Sequence, residues 1–116
     1  MPGHAWAWGK AAPNIVPECP DTVSANVNNV GLNMLNEEIY RYIKGAVWEA
    51  GSLETRARPI VHLGGDEIVS KCYKEDPTFN AYMEEHNVTV FDMWKDFHLR
   101  VYNDIADSFQ NATRPY

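Results

Sequence analysis

The chain lacks any apolar run near the ~18 residues that a membrane-spanning helix requires. Its start has no basic segment followed by a greasy one, so no secretory leader is read there. Basic residues are scarce, with 10 Lys and Arg against 16 Asp and Glu, a net charge of −6. Such a surface repels phosphate backbones, and nucleic acid is not an expected partner. Cysteine is sparse too: Cys19 and Cys72 stand 53 residues apart, nothing like a zinc-site spacing. They allow at most one internal disulfide, and their positions do not say whether they pair. There is no internal repeat, low-complexity tract or heptad pattern. What is present is a globular composition, 45% hydrophobic and 22% charged, which excludes a wholly disordered chain. At 116 residues it is one small domain or a piece of a larger one.

Two sequons, Asn87-Val88-Thr89 and Asn111-Ala112-Thr113, make Asn87 and Asn111 expected glycosylation sites. With a possible disulfide they favour a secretory setting, lysosomal or extracellular. With no leader read at the start, the true N-terminus is expected to lie elsewhere.

The first thirty residues read as loop. Pro2, Gly3, Gly9, Pro13, Pro17, Pro20 and the Asn-rich stretch around Asn26 break any period. So long a loop is functional or disordered, and Trp6 and Trp8 beside His4 favour function, with simple packing against neighbours at least an equal reading for Trp6. Leu35, Ile39, Ile43 and Val47 form a stripe that predicts a helix over 35–50, capped by Asn33 or Asn36 and stopped at Gly51. Residues 59–63, Pro-Ile-Val-His-Leu, read as a buried, parallel-type strand ending at Gly64-Gly65. Asp76-Pro77 opens a second helix that ends near Asn87. A third runs over 90–109, with Trp94, Phe97, Val101, Ile105 and Phe109 as its stripe and Thr89 as its cap. His86 and His98 fall on helix surfaces and receive no role. One strand among helices implies an α/β fold most of whose sheet lies outside the chain.

The chemistry-bearing segment is His62-Leu63-Gly64-Gly65-Asp66-Glu67. Two adjacent carboxylates follow the carboxyl end of an apolar strand, where α/β folds place active sites. Mutual repulsion and poor solvation raise the pKa of one of them, as a general acid requires. Taken alone, the hexapeptide reads equally well as a strand-to-helix turn capped by Asp66.

The run resembles the His-x-Gly-Gly-Asp-Glu signature of glycoside hydrolase family twenty, the β-N-acetylhexosaminidases. Other segments agree in order and spacing. Met1-Pro2-Gly3-His4 through Trp8-Gly9 is similar to the family's Asp-x-Pro-Gly-His-x-x-x-Trp-Gly loop, beginning one residue after its aspartate would stand. Gly31-Leu32-Asn33 resembles the family's Leu-Asn-Pro helix start, with Met34 in place of proline. Cys72-Tyr73-Lys74-Glu75-Asp76-Pro77 resembles the Cys-Trp-x-x-Asn-Pro segment of the animal enzymes, with Tyr73 and Asp76 as departures. The resemblance covers nearly the whole chain. It implies that residues 1–116 are a fragment of a TIM-type (β/α)8 barrel, from about the end of strand 3 to the start of strand 5.

The resemblance also implies a retaining, substrate-assisted hydrolysis of terminal N-acetylhexosamine, in which the sugar's acetamido oxygen is the nucleophile. Glu67 would be the general acid and base, and Asp66 would orient and stabilise the acetamido group. His4 would support them, and His62 stands at a motif position of the substrate side. For each histidine a merely structural role remains open: a satisfied ring for His4, a hydrogen bond at the strand end for His62. Cys19 and Cys72 match positions that are disulfide-linked in animal members. No metal or cofactor is expected. The implied partners are glycans ending in N-acetylglucosamine or N-acetylgalactosamine, with no membrane span and with a dimer as one form of the full-length protein. The isolated fragment is expected to be inactive, because the acetamide pocket comes from later strands. A non-catalytic sugar-binding or interaction protein that kept the motif is the alternative. A metal-dependent hydrolase built on His62, Asp66 and Glu67 ranks last, for want of ligand spacing.

Overall fold

The computed structural model describes residues 4–52, 62–65 and 68–113. Six helices are present among them: α1 Trp6–Ala11, α2 Pro20–Ala25, α3 Glu38–Ser52, α4 Ser70–Glu75, α5 Pro77–His86 and α6 Val90–Thr113. Short 3-10 turns at Pro13–Ile15 and Val27–Asn29 link the first pieces.

The N-terminal third is therefore not the loop that its prolines suggest. Pro13 and Pro20 stand at the first positions of a 3-10 turn and of α2, where a missing N–H costs nothing. Elements of three to six residues are too short to display a hydrophobic period, so the same prolines that hide them in the sequence start them in the fold. Helix α3 begins at Glu38 rather than at residue 35. Asn33 and Asn36 instead build turns ahead of it, their Oδ1 atoms accepting from the N–H groups of Leu35 and Glu38 at 3.1 and 2.9 Å. Gly51 does not stop α3, which continues to Ser52. Glu37 forms a bidentate pair with Arg100 of α6, and the Arg100 guanidinium lies 3.6 Å from the Tyr40 ring centroid.

Helix α5 starts as expected. Asp76 Oδ1 accepts from the N–H groups of Thr78 and Phe79 at 2.8 and 3.0 Å, with Pro77 in the first turn. It ends at Asn87, whose left-handed backbone (φ 50°, ψ 48°) closes the helix. Thr89 and Asp92 then form a reciprocal box at the start of α6: Thr89 Oγ1 accepts from the Asp92 N–H, and Asp92 Oδ2 accepts from the Thr89 N–H. Those donated bonds, from the Thr89 backbone first, hold the Asp92 carboxyl below its usual range. Helix α6 extends to Thr113, four residues past the predicted limit; its final turn carries the Asn111 backbone.

The core lies between α3 and α6 and closes over α5. Ile39, Tyr40 and Ile43 meet Phe97 and Val101, while Phe79, Met83, Val90 and Met93 complete it. Burying a side chain of this size contributes about 1.5–3 kcal/mol. Tyr73 of α4 is fully buried, stacks edge-on with Phe79, and donates its hydroxyl to the Leu32 carbonyl at 2.9 Å. Burial pushes its phenol pKa well up. Among the described residues there is no strand. Most of the segment expected to form one lies outside them, and His62 and Leu63 have irregular backbone. No helix of the described residues is long and apolar enough to cross a membrane.

Candidate active site

Four described residues, His62 to Gly65, lead to the carboxylate pair; Asp66 and Glu67 themselves lie outside the described residues. Gly64 and Gly65 both adopt positive φ, 70° and 122°. At such values, above all the second, any side chain is strained, so the Gly-Gly pair is a backbone requirement here. The turn is held from two sides. His62 Nδ1 accepts from the Gly64 N–H at 3.0 Å, and Trp94 Nε1 donates to the Gly65 carbonyl at 3.1 Å. His62, an exposed residue, thus makes the structural hydrogen bond that its position at the strand end allowed.

His98 stands one helical turn beyond Trp94, and the two rings meet edge-to-face with centroids 4.8 Å apart. A Cβ on Gly65 would lie 2.7 Å from the His98 ring. Its placement on a free helix surface is therefore corrected: His98 is partly buried against the glycine turn, and its Nε2 is buried with no hydrogen-bond partner among the described residues. Loss of water around the ring holds its pKa below the ordinary 6.5, favouring neutral imidazole. His62 and His98 line one small cavity with Leu63, Phe97 and Val101. Trp94 and His98 are the residues that sequence reasoning missed. Their only signal was i, i+4 spacing on a helix whose stripe already explained Trp94 as core.

His4 is exposed and carries φ 56°, uncommon for a residue with a side chain. Immediately after it, Ala5 is fully buried and donates its N–H to the Val30 carbonyl at 2.8 Å, which anchors the segment.

A clamp joins this N-terminal segment to the chain that follows the carboxylates. Cys19 and Cys72 form a disulfide, both sulfurs in a buried cluster with Val30. Beside it, the Glu75 carboxylate accepts from the Asp21 N–H at 3.0 Å and from the Thr22 hydroxyl at 2.7 Å. Asp76, already the cap of α5, uses its Oδ2 to accept from the Glu18 N–H at 2.8 Å. The Thr22 bonds hold the Glu75 carboxyl below its usual range. Among the described residues no group of three or more His, Cys, Asp or Glu side chains is arranged to hold a metal ion.

A family profile described as glycosyl hydrolase family 20, catalytic domain, matches residues 1–115. The chain belongs to glycosyl hydrolase family 20. Family 20 membership implies a barrel of the TIM type for the catalytic domain as a whole. Relatives of known name agree. Beta-hexosaminidase subunit A1 of Dictyostelium discoideum is 36% identical over 97 residues, 84% of this chain and 18% of that protein. The alpha subunit of beta-hexosaminidase from Mus musculus is 26% identical over 111 residues, 96% of this chain and 21% of its own length. The Homo sapiens beta subunit is 25% identical over 113 residues, 97% and 20% respectively. The chain thus spans about a fifth of the length of the curated relatives it matches.

Proposed function

We propose that the chain is a segment of a β-N-acetylhexosaminidase catalytic barrel, from about the end of strand 3 to the start of strand 5. The observation that carries this reading is the sequence His62-Leu63-Gly64-Gly65-Asp66-Glu67 inside a family 20 match over residues 1–115. The substrates are glycans ending in N-acetylglucosamine or N-acetylgalactosamine. Asp66 accepts the acetamide N–H, turns the acetamido oxygen toward the anomeric carbon and stabilises the positive charge that grows on nitrogen. Glu67 gives its proton to the glycosidic oxygen as that C–O bond breaks and the acetamido oxygen bonds to carbon. Water then attacks the anomeric carbon, returns a proton to Glu67 and opens the oxazolinium ring, so configuration is retained. His4 supports the acid from the N-terminal segment, which the Cys19–Cys72 clamp ties to the chain after the motif.

The test is an assay of the full-length protein on paired aryl glycosides. Turnover of the aryl N-acetyl-β-glucosaminide with a β-configured first product, and none of the glucosaminide lacking the acetyl group, is the expected result. Equal turnover of both, or of neither, overturns the reading. The 116-residue piece alone should be inactive on either.

The setting that fits is lysosomal or extracellular. A disulfide persists in oxidising compartments, and Asn87 presents its sequon from an exposed, left-handed helix end. Asn111 is the second acceptor. Protein from secreting animal cells should carry N-glycan on the Asn87 peptide, read by mass spectrometry before and after enzymatic deglycosylation. An unmodified peptide throughout would remove this assignment.

A further inference from the structure

We propose that Trp94 and His98 of α6 are positioning residues for the acid step, acting through the glycine turn that leads into Asp66 and Glu67; this rests on the carboxylate reading above. The turn is the softest possible link. Two consecutive glycines have no side chains to pack, and both sit at positive φ, where they could relax into many other conformers. Something outside the turn must choose among them. Trp94 does so by donating its Nε1–H to the Gly65 carbonyl at 3.1 Å. Because the peptide group is planar, fixing that carbonyl fixes the plane of the bond into the next residue. His98 does so by volume, its ring occupying the space beside the Gly65 Cα so that the turn cannot roll toward α6.

Both side chains stand on a rigid support. Between and around them, Val90, Met93, Phe97 and Val101 are buried in the core. Their rings also brace each other edge-to-face. A reacting group held by packed residues on a helix is placed more tightly than one held by its own loop, and a displacement of about 1 Å can cost about 100-fold in rate.

The test separates positioning from general damage by varying the leaving group in the full-length protein. A dinitrophenyl leaving group departs with little help from an acid, whereas a phenyl group needs its proton. Trp94→Phe keeps the ring and deletes the N–H. It should lower kcat on the phenyl N-acetylglucosaminide roughly tenfold or more, with little change in KM and a much smaller loss on the dinitrophenyl substrate. His98→Ala, which opens space beside Gly65, should give the same selectivity and keeps the question answerable if Trp94→Phe does not fold. Loss by one factor on both substrates, or no loss, overturns the proposal. Glu67→Gln run alongside distinguishes the two levels of failure. If it is inactive on the phenyl substrate while both α6 variants are unselective, only the positioning roles fall. If Glu67→Gln is fully active, the carboxylate reading falls.

Discussion

Glu67→Gln in the full-length protein is expected to lower kcat on a phenyl N-acetyl-β-glucosaminide by about 10²–10⁴-fold, the usual worth of a placed general acid. That corresponds to about 2.7–5.5 kcal/mol of lost transition-state stabilisation. The amide is close to isosteric, so binding should persist and KM should move little. The reason is chemical. The phenolate cannot leave without a proton, and in the proposed mechanism Glu67 supplies it. Asp66→Asn should also be severe, because in the proposed mechanism it would remove the negative charge that stabilises the developing oxazolinium. Steady-state kinetics on the purified variants checks both. A kcat for Glu67→Gln within twofold of the unaltered protein would end the assignment.

Removing the disulfide should produce the largest loss of stability, about 2–4 kcal/mol for Cys19→Ala/Cys72→Ala. The bridge closes a loop across a sequence separation of 53 residues, and its loss frees the unfolded chain accordingly. The clamp also has a part that depends on pH. Glu75 accepts first of all from the Thr22 hydroxyl, and then from backbone N–H groups, only in the folded state, so its folded pKa lies below the ordinary 4.5. Its contribution is therefore complete above that value and is lost as pH falls through the lowered one. With the disulfide gone, Glu75 still ties α2 to α4, and Asp76 still ties the Glu18 backbone to the start of α5. Parent and double variant should both lose the Glu75 contribution as pH drops below about 4.5, the double variant from a lower starting stability. Urea denaturation at neutral pH and at pH near 4 measures both effects. Unchanged midpoints in the double variant would show that the clamp does not hold the fold.

Much of the architecture was legible in the residues themselves. The stripe from Ile39 to Val47, the Asp76-Pro77 start and the long pattern behind α6 are local signals, and each became a helix. The short helices were not legible. Trp6–Ala11, Pro20–Ala25 and Ser70–Glu75 each have at most two turns, below the length at which a period can be recognised or an isolated helix can persist. They exist because of what they touch: Tyr73 reaching Leu32, Cys72 bonded to Cys19, Glu75 receiving Thr22.

The sequence by itself set the glycines, carboxylates and histidine in one short run, and the family match over residues 1–115 rather than the run alone supports the proposed chemistry. It also determined the long amphipathic helices and the caps at Asp76 and Thr89, whose causes lie within a few residues. Only the tertiary structure decided that Cys19 and Cys72 meet, that Glu37 pairs with Arg100, and that Trp94 and His98 grip the glycine turn. Those partners are separated by 29 to 63 residues for the bonded pairs. At such separations proximity is created by packing of the whole chain, and no local spacing encodes it.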